Sequence, residues 1–433
     1  MTNTSIFDQL ESKVQSYARS FPCVFDQARG AELWDIKGRR YLDFLSGAGS
    51  LNYGHNNPVL KSELIKYIEN DGVAHGLDLH TAAKSRFLEA MQDIILAPRH
   101  MDYVVQFSGP TGTNAVEAAF KLARKVTGRT NIICFTNGFH GVSLGALAAT
   151  GHQHFRDASG VPLYGTTRMP YDGYFGDDAD TLAYLDCILA DRSAGIDRPA
   201  AVIVETVQGE GGLNAARKEW LRRLQALCHQ HDMLLIVDDI QAGCGRTGSF
   251  FSFDLFDLQP DVVLLSKSLS GFGLPLAVVL LRRDLDRWKP GEHNGTFRGN
   301  NHAFVTAAAA LELYWRTTEF AEQVRAKGDY LARRLQVFVE RFSPHLVEVR
   351  GRGMMRGVLC ADPKWAAAVT ARAFSSGLIL ERSGPEDEVI KCMMPLNIPE
   401  PQLEEGLDIL EGCFSEELDE RAACAPDQVS HVA

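Results

Sequence analysis

A chain of 433 residues, 45% hydrophobic and 23% charged, has ordinary globular composition and is long enough for two or three packed domains. Its formal net charge of −11 excludes the basic footprint that non-specific nucleic-acid binding needs, and disfavours an anionic membrane surface. The nine cysteines (Cys23, Cys134, Cys187, Cys228, Cys244, Cys360, Cys392, Cys413 and Cys424) are odd in number and never at C-x-x-C spacing. They read as mostly buried free thiols in a reducing compartment, with no zinc or other metal site. The N-terminal MTNTSIFDQLESK has no signal pattern and no apolar run reaches membrane-spanning length, so a cytoplasmic protein is expected.

Residues 6–18 predict a short amphipathic helix, with Phe7, Leu10, Val14 and Tyr17 on one face. AELWDIKGRRYLDFL then reads as two strands around a turn at Lys37-Gly38, and the Gly-rich SGAGSLNYGHNNP leads into a helix near 58–70. From residue 100 short apolar runs recur: YVVQF (103–107), NIICF (131–135), AVIVE (201–205), LLIVD (234–238), DVVLL (261–265) and AVVLL (277–281). Most are separated by helix-length segments, the pattern of a parallel sheet covered on both faces, whose ligands bind beyond the strands' carboxyl ends. A long helical stretch near 302–342 follows. LVEVRGRGMMRGVLCA, GLILERS and KCMMPLNI then alternate as a small α+β unit, and 419–433 reads as a frayed tail.

The chemistry-bearing residues sit just after those runs. Lys267 follows DVVLL, where lost solvation lowers a lysine's pKa and frees its amine to attack a carbonyl; alone, it reads as a strand-end lysine reaching solvent. Asp238 ends the apolar LLIVD, where an unpaired carboxylate is costly, so it calls for a cationic partner such as a protonated pyridine nitrogen. Asp239 beside it suits a loop cap. In FSGPTGTNAVEAAFKLARKVTG, Asn114 can cap a helix whose start, with Gly112, Thr113 and the Thr113 hydroxyl, forms an anion nest. In TNGFHG, Phe139 is placed to lie on a heterocycle, while His140 next to it reads, taken alone, as a satisfied loop histidine rather than a catalytic base.

In chain order these are a phosphate nest, a stacking ring, a ring-nitrogen acid and a Schiff-base lysine, with Lys267 29 residues after Asp238 in DDIQAGCGRTG. The chain resembles the ornithine-type, class III family of fold-type I aminotransferases from end to end. That resemblance implies an α/β fold: a large pyridoxal-phosphate domain at 56–315 with a mostly parallel central sheet, and a smaller α+β domain built from 1–55 and 316–418. It implies pyridoxal 5′-phosphate held by Gly112, Thr113, Phe139, His140, Asp238 and Lys267, with Gln241 at the phenolic oxygen. It also implies a homodimer or dimer of dimers, in which Thr296 of HNGTFRGNNHA reaches the phosphate of the neighbouring subunit's cofactor. Some relatives require a monovalent cation, and the resemblance leaves that open.

SYARSFPCVFD, GAGSLNYGHNNP, FSGPTGTNAVEAA, SKSLSGFGLPLAVVL and WKPGEHNGTFRGNNHAFVTAA are similar to members that transfer the amino group of L-glutamate to L-aspartate 4-semialdehyde. These produce L-2,4-diaminobutyrate and 2-oxoglutarate by a ping-pong route, for ectoine or alternatively for a siderophore or peptide antibiotic. GPTGTN departs from the SGAEA-like turn of relatives using ornithine, N-acetylornithine or 4-aminobutyrate, which are the alternative substrates. KCMMPLNI puts Lys391 where such relatives carry an arginine, and a lysine cannot grip a carboxylate bidentately. Glu210 in VQGEGG holds the position of the family's movable glutamate, so Glu210 and Lys391 form either a substrate gate or a structural ion pair. An aminomutase and a non-catalytic cofactor binder are the other readings; the second is disfavoured because Lys267 and Asp238 are both present.

Overall fold

The computed structural model describes residues 5–424. An antiparallel meander opens the chain, β1 (Phe25–Arg29), β2 (Glu32–Asp35) and β3 (Arg40–Asp43). The helix Pro58–Glu69 follows, with the Asn57 side chain accepting from the Val59 and Leu60 amides at its start.

The central sheet holds β4 (Tyr103–Phe107), β5 (Ile132–Phe135), β6 (Thr166–Met169), β7 (Ala201–Val204), β10 (Leu234–Asp238), β11 (Val262–Leu265) and β12 (Val278–Arg282). Their spatial order is β4-β12-β11-β10-β7-β5-β6. Only β12 runs against its neighbours, so the other six strands all end on one edge of the sheet. A small hairpin, β8 (Val207–Gln208) and β9 (Asn214–Ala215), lies between β7 and β10. Successive residues of β10 to β12 feed two separate cores. Leu235, Val237, Val263, Leu265, Val278 and Leu280 pack on one face, and Ile236, Val262, Leu264, Val279 and Leu281 on the other. The helix Gly112–Thr127 covers the second face with Val116, Ala119, Phe120 and Ala123. The apolar runs are continuous because both faces are dry.

The C-terminal part forms a four-stranded antiparallel sheet of β13 (Leu346–Arg352), β14 (Met355–Cys360), β16 (Glu381–Ser383) and β17 (Val389–Cys392), in the order β13-β14-β17-β16. The short β15 (Leu378–Ile379) pairs in parallel with β3 and joins the N-terminal meander to this smaller α+β unit. The architecture is the expected fold-type I α/β one.

Three expected elements differ. The helix expected over 6–18 is split into Ser5–Leu10 and Tyr17–Ser20. Leu10 and Val14 are 78% and 87% exposed, and a short helix with no surface to bury its apolar face against does not persist. The stretch near 302–342 is two helices, Asn301–Tyr314 and Glu319–Arg341, parted at Trp315. That indole sits edge-on to Phe250 and Phe320 and donates to the Tyr53 hydroxyl at 2.8 Å. β6 was missed because TTRM carries no apolar run. The last helix, Glu400–Cys424, continues through 419–424; the rest of the expected tail, 425–433, lies outside the described residues. Among the described residues no helix is long and apolar enough to cross a membrane, and no cluster of three or more His, Cys, Asp or Glu is placed to hold a metal ion.

Candidate active site

Beyond the carboxyl edge of the central sheet, Lys267 takes a left-handed backbone conformation (φ 46°), unusual for a non-glycine residue and often a mark of a functional position. Its Nζ donates to the Ala48 carbonyl at 2.7 Å. Burial lowers its pKa; the nearby Glu210 carboxylate opposes that shift, and the Lys391 ammonium adds to it.

Asp238 is buried at the end of β10, with Oδ2 2.7 Å from Nδ1 of His140 and Oδ1 accepting the Ile240 amide at 3.3 Å. His140 is thus a buried loop histidine whose ring is partnered to the acid. Asp239 turns into the core, where it accepts the Ser252 amide at 3.0 Å, and burial pushes its carboxyl up to about 7.

Phe139 sits between Asn137 and His140 on the loop after β5, its ring edge-on to Phe155 at 5.4 Å. Its amide donates to Oε2 of Glu205 at 2.9 Å, and Oε1 of the same carboxylate accepts the Gly209 amide at 3.3 Å. Glu205 therefore ties the Phe139 loop to the loop carrying Glu210. Sequence reasoning missed it, although AVIVE ends in an acid just as LLIVD does. Burial raises its pKa to about 7.

After β4 the chain enters the helix at Gly112, and the N-cap position belongs to Thr111 rather than Asn114. Asn114 lies in the first turn and reaches back, its Oδ1 accepting from the Thr111 amide at 3.2 Å and hydroxyl at 2.9 Å. Thr113 Oγ1 is 2.7 Å from Ser143 Oγ, which donates to Glu117 at 2.9 Å. Gly112, Thr113, Phe139, His140, Asp238 and Lys267 all line one cavity of about 250 Å³.

Gln241 and Glu210 line the same cavity. The Gln241 amide nitrogen donates to the Ala48 carbonyl at 3.1 Å and to Oε1 of Glu210 at 3.0 Å. Glu210 occupies the β8–β9 turn between glycines that admit no side chain: a Cβ on Gly209 would run into the Gln241 amide, and one on Gly211 into the Asn137 carbonyl. Lys391, on β17, is fully buried, with Nζ 3.1 Å from Glu210 Oε1 and 3.3 Å from Gln241 Oε1. A third contact was not foreseen: Glu381 of β16 lies 2.6 Å from the same nitrogen. The Tyr17 hydroxyl donates to the other Glu381 oxygen at 3.2 Å. Lys267, Glu210, Glu381 and Tyr17 also line an adjoining cavity of about 530 Å³. Burial would lower the Lys391 pKa, but the two carboxylates outweigh it and hold the ammonium charged. The Lys391 and Lys267 ammonium groups keep Glu210 low against its own burial, whereas burial raises Glu381.

Thr296 is exposed and lines neither cavity of its own chain.

The aminotransferase class-III family model matches residues 14–414. The chain is 56% identical to the diaminobutyrate–2-oxoglutarate transaminase of Bordetella parapertussis, over 97% of each sequence. It is likewise 56% identical to that of Halomonas elongata, over 94% of this chain and 98% of the relative. Among solved structures, the ornithine aminotransferase of Toxoplasma gondii superposes with a TM-score of 0.84 at 27% identity, covering 96% of this chain and 95% of that one.

Proposed function

The chain belongs to the class-III aminotransferases, and from that premise we propose that it transfers the amino group of L-glutamate to L-aspartate 4-semialdehyde, yielding 2-oxoglutarate and L-2,4-diaminobutyrate. Relatives more than half identical over nearly the whole chain carry that reaction in their names. The observation that carries the reading is the single cavity shared by a buried amine, a buried carboxylate, an aromatic ring and a helix start.

The cofactor is pyridoxal 5′-phosphate, and the residues fit it. The donor set offers an amine for the covalent bond (Lys267), a carboxylate for the ring nitrogen (Asp238) and a ring face (Phe139). Gly112 and Thr113 add first-turn amides for the phosphate, and the Thr113 hydroxyl would turn from Ser143 to meet it. A Cβ on Gly112 would press on Ile240, which lines the same cavity, at 3.0 Å. Gln241 would serve the phenolic oxygen. When bound, the cofactor supplies an electron sink for negative charge at the substrate carbon and carries the amino group between donor and acceptor.

In this proposal the chain's own groups do the rest. His140 orients Asp238 through the 2.7 Å contact, and the carboxylate so held would pair with the ring nitrogen. Lys267, its basicity lowered by burial, moves the proton to and from the reacting substrate carbon. Glutamate reacts at the carbon bearing its α-carboxylate, whereas the semialdehyde reacts at the end remote from its own. Glu210 swinging off Lys391 exposes a cation for the first; Glu210 on Lys391 covers it for the second. The 3.1 Å contact between them is the closed arrangement. Thr296 and its exposed neighbour Phe297 support a homodimer, or dimer of dimers, in which this loop completes the partner's site. Ectoine synthesis is the proposed destination of the diamine.

An assay of diaminobutyrate with 2-oxoglutarate, beside ornithine, N-acetylornithine and 4-aminobutyrate, tests the substrate assignment. Diaminobutyrate is expected to give the highest kcat/KM, and a higher value on any of the others overturns it. Formation of 2-oxoglutarate from glutamate alone, one equivalent per site, separates transamination from aminomutation.

A further inference from the structure

Glu381 and Lys391 are register partners across the antiparallel β16–β17 pair, so the backbone ladder itself sets them face to face. Lys391 has three N–H bonds and three oxygen neighbours: Glu381 at 2.6 Å, Glu210 at 3.1 Å and Gln241 at 3.3 Å. Of the two carboxylates, Glu210 sits on a turn at 30% exposure, while Glu381 sits in a strand at 6% and is held from behind by the Tyr17 hydroxyl. One counter-ion can leave and the other cannot. We propose that Glu381 is the permanent counter-ion of Lys391, a positioning residue that keeps this lysine fixed and charged while Glu210 is displaced by a substrate carboxylate. The proposal rests on the gate described above.

A guanidinium stays protonated when its partner departs, but a fully buried ammonium loses its proton readily. With Glu210 away and no Glu381, Lys391 would face only the neutral Gln241 amide and the repulsion of Lys267. With Glu381 in place, exchange of the Glu210 carboxylate for a substrate carboxylate leaves the charge of the cluster unchanged.

The test uses the holoenzyme and glutarate, a dicarboxylate that carries no amino group to transfer, titrated calorimetrically between pH 6.5 and 9. The E381Q variant is expected to lose tenfold or more in glutarate affinity over that range, against less than threefold for the unaltered enzyme. Its glutamate half-reaction is expected to worsen at least tenfold in KM relative to its diaminobutyrate half-reaction. Adding K391R to E381Q should return the pH dependence to within threefold, because arginine needs no counter-ion to stay charged. E381Q with no added pH dependence, or a double variant that stays pH-sensitive, overturns the proposal. E210Q separates it from the gate. If E210Q leaves the ratio of the two half-reactions unchanged, the gate fails and the proposal with it. If E210Q shifts the ratio and E381Q adds no pH dependence, the gate stands and the proposal alone falls.

Discussion

Replacing Lys391 by methionine, similar in length but uncharged, tests whether the cluster is held together by charge. It leaves Glu381 buried at 6% exposure with the cation it contacts gone, whereas Glu210, at 30%, can turn toward water. Only Glu381 should therefore bear the full cost. That cost is capped by protonation: a carboxyl with a normal pKa near 4.3 takes up a proton at pH 7 for about 3–4 kcal/mol, in line with the cost of breaking a buried ion pair. Unfolding entropy of about 2 cal/mol/K per residue over 433 residues amounts to about 0.9 kcal/mol/K, so Lys391→Met should lower Tm by roughly 4 °C at pH 7. The sign with pH follows from linkage. In the variant Glu381 has a folded-state pKa above its unfolded one, so the folded state binds the extra proton. The penalty is complete above the folded pKa and shrinks as pH falls toward 4.3. Differential scanning calorimetry of the holoenzyme at pH 5.5, 7 and 8 reads this directly, with the shift at pH 5.5 expected to be less than half that at pH 8. Lys391→Met combined with Glu381→Gln should recover most of the loss. A shift that does not vary with pH would refute the reasoning and assign the effect to packing.

Lys267→Ala should cut transamination by about 10³-fold or more and abolish borohydride fixation of the cofactor to the peptide carrying residue 267, read by mass spectrometry. His140→Phe removes the partner of Asp238; a hydrogen bond to a charged group is worth about 1.5–3 kcal/mol, so both half-reactions should slow by roughly 10–100-fold in stopped flow. Slowing confined to one of them would place His140 in substrate selection instead. Arg246, fully buried, donates to the Met394 carbonyl at 2.6 Å and the Met354 carbonyl at 3.3 Å and contacts Asn52. Arg246→Met leaves those acceptors unpaired and should destabilise by about 3 kcal/mol or more, seen as a fall in Tm of several degrees.

The cofactor side of the site was legible because a parallel sheet sends every strand's carboxyl end to one edge. Polar residues that follow apolar runs, such as Asp238, Phe139 and Lys267, must then converge whatever the loop lengths. That Asp238 is the group that satisfies His140 was not legible, because the two lie 98 positions apart and no local pattern shows which carboxylate a histidine will meet. Glu381 was missed for a different reason and need not have been. GLILERSGPEDEVIKCMM holds two apolar segments around a turn-forming GPEDE, and centring the turn on its middle residue, Glu386, sets Glu381 opposite Lys391, an opposite-charge cross-strand pair. Tyr17 lay beyond sequence reasoning altogether. Its hydroxyl meets Glu381 across 364 positions, and the helix expected to carry it is interrupted because most of its apolar face is left uncovered by the described residues.

The two halves of the site stand on different sheets, and that division has a functional consequence. Asp238, His140, Phe139 and Lys267 are set by the ends of β5, β10 and β11, whereas Lys391 and Glu381 are set by the β16–β17 ladder. Between them run the contacts of Gln241 and Glu210, both on turns. A change in the cation or its counter-ion can thus alter which carboxylate is accepted, and in which half-reaction, while the backbone that aims Lys267 stays as it is. A lysine in an arginine's place would be a weaker grip if it stood alone. In the proposed gate, Glu381 fixes it from behind as a cation of constant charge and Glu210 closes its front, which is what a pocket needs when one substrate brings a carboxylate to that point and the other does not.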